Sequence, residues 1–159
     1  MTIAAKKNHK AAEPREATAM LRADHKLVSE LFEEFESTRS SAKKKALAAQ
    51  ICKELTIHAQ IEEEIFYPAV KKALKDKELV PEAVVEHATL KNLIAEIEGV
   101  KADDEMWEAK VKVLGEYVKH HVKEEQNEMF PKAKSSNLDM AELCARMLQR
   151  KEELLSELA

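Results

Sequence analysis

Two copies of one spaced pattern place potential metal ligands in this chain. Each copy holds a histidine and, further along, a second histidine followed four residues later by a glutamate. A proline follows the second histidine by ten residues in both copies. The six candidate ligands are His25, His58 and Glu62 in the first copy, and His87, His121 and Glu125 in the second. Imidazole and carboxylate groups suit iron or manganese and tolerate zinc, so the repeat predicts a site for two metal ions.

The spacing of each histidine–glutamate pair suits a helix, because residues four apart lie on the same helical face. Each pair can chelate one metal, or supply one histidine and a bridging carboxylate, as in dinuclear sites of helical bundles. His25 and His87 then complete the two coordination spheres. Six ligands do not fill two octahedra, so positions remain open for water, dioxygen, peroxide or nitric oxide. The pattern therefore indicates a reactive or ligand-binding site rather than a purely structural one.

The composition favours the long helices that such a site needs. Hydrophobic residues make up 45% and charged residues 35% of the 159 residues, with only two glycines and four prolines. Apolar residues recur at steps of three and four, which is the helical period. We expect Pro68 to kink or end the second helix and Pro131 to end the fourth, because proline lacks a backbone donor. The predicted helices run from Pro14 to about Ser37, from about Ser41 to Pro68 or at most Lys75, from Pro81 to Gly99, from Asp104 to Pro131, and from Leu138 to Leu158.

All four histidines of the repeat occupy stripe positions where a leucine would otherwise point into the core. A single histidine there is more often a hydrogen-bonded core residue. Burying four imidazoles with two carboxylates is costly without a compensating partner, and a shared cation is the simplest one. His25 and His58 are equidistant from a turn at residues 40–41, and His87 and His121 from one at residues 103–104. Two antiparallel hairpins would therefore bring their histidines level.

The chain is the size of one domain. We expect a flexible N-terminal tail over residues 1–12, a four-helix bundle over 13–134, and an accessory helix over 135–159 that packs outside the bundle or forms a dimer contact. The net charge of −4 does not predict nucleic-acid binding. No apolar run approaches the roughly 20 residues of a membrane span. The N-terminus lacks the hydrophobic region of a signal peptide, so we expect a cytoplasmic protein, either monomer or homodimer.

Four segments of the chain resemble the hemerythrin-like, HHE cation-binding domain family: RADHKLVSELFEEFE, LTIHAQIEEEIFYPAV, VEHATLKNLIAEIE and YVKHHVKEEQNEMFPKA. The resemblance covers about residues 14–134. It implies an all-α, up-down-up-down four-helix bundle, with the additional C-terminal helix that is common in bacterial members. It also implies a non-haem, carboxylate-bridged centre of two iron ions with an oxo or hydroxo bridge, in which zinc or manganese can substitute. Members of the family bind or sense oxygen, react with peroxide or nitric oxide, or handle iron.

The chain departs from the oxygen-carrying hemerythrins, which use five histidines. The position of the fifth, one turn after the third-helix histidine, is Lys91, which cannot ligate a metal while protonated. Reversible oxygen carriage of the usual kind is therefore not expected. Glu54 and Tyr117 lie one turn before His58 and His121 and are candidates for an additional ligand or a contact to a bound molecule. The alternatives are a solvated carboxylate for Glu54 and a core-edge tyrosine for Tyr117.

Other acidic residues flank the candidate ligands. Asp24 and Glu86 each precede a histidine of the repeat. One role for both is to orient an imidazole, but adjacency in sequence turns such side chains away from the site, which favours the alternative of a surface role. Glu63, Glu64 and Glu124 are expected on solvated faces, or as acceptors for imidazole N–H groups.

The leading hypothesis is a di-iron protein that binds or reacts with dioxygen, peroxide or nitric oxide, in the response to oxidative or nitrosative stress or in its sensing. We expect a binding protein rather than a dedicated enzyme, with at most weak reactivity towards peroxide or nitric oxide. The alternative is an iron- or zinc-binding storage module without redox turnover. A metal-free interaction bundle is a third hypothesis, and the buried histidines argue against it.

Overall fold

The fold was obtained as a computed structural model, which describes residues 13–102 and 104–158. All regular structure in these residues is helical. The helices are α1 (Ala17–Ser37), α2 (Ser41–Ile61), α3 (Tyr67–Leu74), α4 (Leu79–Gly99), α5 (Glu105–Glu124), α6 (Phe130–Lys134) and α7 (Met140–Leu158). A π-helical turn over Glu62–Phe66 joins α2 to α3, and a second over Glu125–Met129 joins α5 to α6. The described residues thus form five helical rods, which confirms the all-α bundle with an additional C-terminal helix.

Side-chain caps determine where the rods begin. Glu16 accepts hydrogen bonds from the backbone N–H groups that follow it, so α1 begins after Glu16 rather than at Pro14. The third rod begins two residues before Pro81, because Asp76 accepts bonds from the N–H groups of Leu79 and Val80 at 3.1 and 2.7 Å. Pro81 then lies in the first turn, where its missing N–H has no helical partner to lose.

The two π turns change the expected effect of the prolines. Helical structure continues through Pro68 to Leu74, within the expected limit of Lys75, but it also continues through Pro131 to Lys134, where the helix was expected to end. The N–H before each proline bonds five residues back, from Tyr67 to Glu62 and from the equivalent phenylalanine to the equivalent glutamate. The helical turn before each proline is therefore already wider than an α-helical turn, at the place where the proline ring would otherwise collide with it. Such π turns occur frequently at functional sites, and both begin at a predicted ligand.

The core consists of two apolar clusters with the histidine layer between them. One cluster lies at the end of the bundle where residues 75–78 connect α3 to α4. It includes Leu21, Ile61 and Phe130. The other contains Phe35 and Trp107 and lies towards the hairpin turns. On the first, third and fourth rods, the histidine of the repeat lies between residues of the two clusters, and on the second rod His58 lies where one cluster gives way to the other.

The fifth rod, α7, packs on the hairpin that the first two rods form. Leu143, Cys144 and Met147 are buried in the same cluster as Ile57 and Ile61 of α2. The sequence analysis expected the C-terminal helix either to pack outside the bundle or to form a dimer contact. In the structure it packs against the outside of the bundle. None of the described helices is long and apolar enough to cross a membrane.

Candidate metal centre

The six candidate ligands of the repeat come together in the layer between the two core clusters. All six are buried. They form two overlapping groups that share Glu62, and within each group the ligand atoms lie within 4.8 Å of one another. One group is His25, His58, Glu62 and Glu125, and the other is Glu62, His87 and His121.

The histidines are level within each hairpin, as the turn positions predicted. The ring centroids of His25 and His58 are 4.9 Å apart, and those of His87 and His121 are 4.8 Å apart. Because α1 pairs with α2 and α4 with α5, each hairpin contributes two imidazoles and one carboxylate to the layer.

Each glutamate lies between a histidine of its own helix and a histidine of the other hairpin. Glu62 Oε1 is 3.3 Å from His58 Nε2 and 3.1 Å from His87 Nε2.

Glu125 is placed in the same way, with Oε2 3.5 Å from His121 Nε2 and Oε1 3.2 Å from His25 Nε2. Both carboxylates therefore stand where a bridge between two metal ions would lie.

Four buried polar atoms of this layer have no hydrogen-bond partner. They are His25 Nε2, His58 Nε2, Glu62 Oε2 and Glu125 Oε1, and all belong to the first ligand group. His25 Nε2 is close to Glu125 Oε1, but the contact lacks hydrogen-bond geometry. Buried polar groups are almost always paired, and an unpaired one costs about 1–3 kcal/mol. Converging nitrogen and oxygen atoms that lack hydrogen bonds fit a metal cation.

The outward-facing nitrogens of the imidazoles are held by side chains from neighbouring helices. Asp24 Oδ2 is 2.9 Å from His58 Nδ1, and Glu86 Oε1 is 2.5 Å from His121 Nδ1. The expectation of a surface role for both residues is wrong. Adjacency does turn each one away from the histidine it precedes, but towards the histidine of the paired helix. Such outer contacts orient a metal-binding imidazole and set which nitrogen carries the proton.

The other two histidines have partners from the first residue after each glutamate. Glu63 Oε2 is 2.7 Å from His87 Nδ1, which agrees with one of its two predicted roles. Gln126 occupies the equivalent position in the second copy, and its Nε2 is 2.9 Å from His25 Nδ1. Glu63 also contacts Lys91, the residue at the fifth-histidine position of the oxygen carriers.

The hydroxyl of Tyr67 lies among the candidate ligands, and the sequence analysis missed it. It donates to Glu125 Oε2 at 2.5 Å and lies 3.2 Å from Glu62 Oε1 and from His87 Nε2. Five residues separate Tyr67 from Glu62, which in a regular α-helix would point them to different faces. The π turn brings them together. The second copy has Phe130 at the equivalent position, so the repeat carried no signal for this hydroxyl.

Tyr117 and Glu54, the additional candidates, lie elsewhere. Tyr117 is 51% exposed and lines a surface pocket with Glu86 and His120, so the prediction that it faces the centre is wrong. Glu54 is partly exposed and belongs to neither ligand group. Apolar neighbours occupy the inner positions of both helices next to these residues, among them Leu55 and Val118.

Charges in the layer balance one another in the metal-free protein. Burial lowers the pKa of His58, but Glu62 and Asp24 outweigh it and hold the pKa well above its usual range. Burial raises the pKa of Glu62, but His58 and His87 hold it well below its usual range. Burial likewise lowers the pKa of His121, but Glu125 outweighs it and raises the value to about 9. Protons on imidazoles thus occupy the role that a cation would take.

Burial, followed by the charges of Glu62 and Glu125, holds the pKa of the Tyr67 hydroxyl well above its usual range. The phenol therefore keeps its proton in the metal-free protein. A cavity of about 30 Å³ adjoins the layer on the side of the hairpin turns. Its wall includes all four histidines, and the rest is mostly aliphatic, with Val28, Leu55, Leu90, Ile94 and Val118. This volume suits a molecule of a few atoms.

Comparison with known proteins agrees with the fold. A solved structure of a hemerythrin HHE cation-binding domain-containing protein from Mycobacterium kansasii aligns with a TM-score of 0.75. It is 23% identical, and the alignment covers 89% of this chain and 88% of that one. A curated DNA nickase from Nostoc sp. is 30% identical over 111 residues, which are 70% of this chain. The chain spans only 31% of the length of that relative.

The model of the family described as hemerythrin HHE cation binding domain matches residues 16–133. That range includes the four bundle rods except for Lys134 at the end of α6, and it includes both π turns and all six candidate ligands. The chain belongs to the hemerythrin HHE cation-binding domain family.

Proposed function

We propose that this protein holds two iron ions in the buried centre and binds or reacts with dioxygen, peroxide or nitric oxide there. The observation that carries the proposal is the set of unpaired buried donor atoms, two imidazole nitrogens and two carboxylate oxygens, that converge without hydrogen bonds. Nitrogen and oxygen donors of this kind, with no thiolate, favour iron or manganese and also accept zinc.

In this proposal His25 and His58 hold one ion, and His87 and His121 hold the other. Glu62 and Glu125 serve both ions, because each carboxylate lies between histidines of the two hairpins. Iron bound here would supply redox and Lewis-acid chemistry to a small ligand.

The remaining residues position the ligands and handle protons. Asp24, Glu63, Glu86 and Gln126 fix the imidazole rings through their outer nitrogens. The Tyr67 hydroxyl keeps its proton among the candidate ligands and donates a hydrogen bond to Glu125. The adjoining cavity, with its mostly aliphatic wall, has room for a small molecule beside the centre. Tyr67 is thereby placed to donate a hydrogen bond to a ligand in the centre.

A role in the response to oxidative or nitrosative stress, or in its sensing, follows from this chemistry as part of the proposal. We propose a cytoplasmic protein, monomeric or homodimeric, that acts mainly by binding, with at most weak turnover. The net charge of −4 does not indicate a nucleic-acid partner.

The test is metal analysis with optical spectroscopy. Metal-free protein is loaded anaerobically with ferrous iron, freed of excess metal, and then exposed to air. Two irons per chain and a charge-transfer band that appears in air would support the proposal, and kinetics with peroxide and nitric oxide would follow. His58→Ala should lose iron, whereas the exposed His120→Ala should retain two per chain. If only zinc is retained and the spectrum stays flat, the storage module without redox turnover is the better account.

A further inference from the structure

The two outer faces of the bundle differ although the ligand layer repeats. In the first copy, the residues just before His58 and Glu62 are Ile57 and Ile61, and α7 covers both. In the second copy, the residues just before His121 and Glu125 are His120 and Glu124, and no described helix covers them: His120 is 65% exposed. A second histidine–glutamate pair therefore lies on the open face, and each of its residues immediately precedes a residue of the buried pair in the sequence.

His120 and Glu124 meet a third potential ligand from the facing helix. His120 Nε2 is 2.6 Å from Glu124 Oε1 and 3.9 Å from Glu86 Oε2. Donor atoms of these three residues lie within 4.8 Å of one another. The other oxygen of Glu86, Oε1, contacts His121 Nδ1. One carboxylate thus touches both the outer cluster and a histidine of the buried centre.

A small cavity connects this outer cluster with the buried layer. Its wall includes Glu82, Glu86 and Glu124 at the surface, and His121 and Glu125 inside. The Glu125 side chain is only 1% exposed, and its Oε1 has no hydrogen-bond partner. The cavity therefore reaches the buried side chain of Glu125, which is one of the candidate ligands.

Charge favours a cation on this face over the opposite one. At the equivalent place in the first copy, Asp24 is paired with Lys151 of α7, and Glu64 nearby is paired with Arg150. On the open face, the glutamates of the cavity mouth and the outer cluster form ion pairs only with histidines among the described residues: Glu86 with His120 and His121, and Glu124 with His120. A concentration of like charge at a cleft raises the local concentration of counter-ions.

We propose that Glu86, His120 and Glu124 form an outer site for a divalent transition-metal cation, through which metal reaches the buried centre. The delivery role rests on the proposed function, whereas binding at the outer site does not. A hydrated cation first binds His120 and the carboxylates of Glu86 and Glu124, and then passes along the cavity to Glu125. The site is solvent-facing and has three protein donors, so its affinity is lower than that of the buried centre.

Cobalt(II) is a suitable probe, because it binds imidazole and carboxylate ligands and its absorption reports coordination. Metal-free wild type is compared with the double variant His120→Ala/Glu124→Gln and with the control Glu128→Gln. Glu128 is exposed on the same rod, one turn beyond Glu124, and lies outside the cluster. Two quantities are measured: the number of cobalt ions bound at equilibrium, and the rate of filling at substoichiometric cobalt in low and high salt.

The expected result is two tightly bound cobalt ions and a third, weaker one in wild type and in the control, with only the third lost in the double variant. The double variant should fill the tight sites about tenfold more slowly at low salt, and the difference should shrink as salt screens the glutamates. A third ion that survives the double substitution would overturn the outer site, and equal filling rates would overturn delivery. If wild type binds no tight cobalt, the buried centre and delivery both fail, while the weak ion still decides the outer site.

Discussion

At the scale of single residues, the centre is defined by which side chains are left without partners. The four histidines are held from outside by hydrogen bonds, while two of their inner nitrogens and two carboxylate oxygens have none. A satisfied polar core would pair its donors and acceptors with one another. The arrangement instead resembles a ligand set in which the inner partner is a cation and the outer partners fix the rings.

Tyr67→Phe tests whether the phenol belongs to the centre. The hydroxyl makes hydrogen bonds to two buried carboxylates, so the metal-free variant should lose about 1.5–3 kcal/mol in the free energy of unfolding by urea. Because the hydroxyl also lies 3.2 Å from His87 Nε2, among the candidate ligands, its loss should shift the charge-transfer band of the iron-loaded protein. Tyr117→Phe removes the chain's other tyrosine hydroxyl, on the surface, and should change neither property. Equal stability and spectra for both variants would contradict a role for Tyr67.

Asp24→Asn tests the outer support of His58. The neutral amide lacks the negative charge with which Asp24 orients the His58 imidazole and raises its basicity. The affinity for metal should therefore fall by about 10–100-fold. Competition with a chelator measures the change. Glu54→Gln, on the same helix as His58 but outside the ligand groups, is the matched control and should bind as wild type does. A larger effect of the Glu54 substitution would show that the ligand set is misassigned.

At the scale of elements, two π turns and one accessory helix shape the site. Each π turn begins at a glutamate of the layer and ends two residues before a proline. The backbone hydrogen bonds therefore change from the α-helical to the π-helical pattern at each candidate glutamate ligand. In the first copy the same turn brings Tyr67 into the layer. The helix α7 adds apolar cover to α2 and places Lys151 on Asp24, whose other oxygen contacts His58.

Met147→Ala tests how far α7 supports the bundle. Met147 is completely buried against the first hairpin, and truncation of such a side chain costs about 2–5 kcal/mol of unfolding free energy. Urea unfolding of the metal-free protein measures the loss. Met106→Ala, at a side chain that is 56% exposed, should stay within about 0.5 kcal/mol of wild type. Similar small effects for both substitutions would mean that α7 is not part of the cooperative unit.

At the scale of the whole molecule, the buried layer couples metal binding to protonation and stability. Raised pKa values of His58 and His121 mean that these imidazoles are protonated in the folded, metal-free protein around neutral pH. That protonation stabilises the folded state below the unfolded pKa of about 6.5, and the contribution is lost as pH rises through the folded value of about 9 for His121. Metal binding requires the neutral imidazoles, so the two effects oppose each other.

The pH dependence of thermal unfolding should therefore differ between the two forms. Between pH 6.5 and about 9, the Tm of the metal-free protein should fall as His121 and His58 lose their protons. Over the same range, metal affinity should rise, so the gap in Tm between metal-loaded and metal-free protein should widen. Zinc-loaded protein, free of redox chemistry, and chelator-treated protein measured by circular dichroism provide the comparison. A gap that is constant or narrows with pH would contradict protonation of the layer.

The amino-acid sequence by itself determined the helical class, the hairpin pairing and the six candidate ligands. Local rules suffice for these features: helical periodicity, turn residues and i,i+4 spacing place His58 with Glu62 on one face and make the histidines of each hairpin level. The sequence also indicated Glu63 as an acceptor for an imidazole N–H group. Each of these inferences depends on neighbours in sequence or on symmetry about a turn.

Only the tertiary structure decided the contacts that depend on how different helices face one another. Asp24 and Glu86 hold histidines of paired helices, and neither partner can be read from the adjacent residue. Tyr67 enters the layer because a π turn changes the direction in which the following residues point, and α-helical periodicity misassigned that place to Tyr117. The physical reason is that a one-residue change in helical register rotates every later side chain, and packing of the whole bundle selects that register.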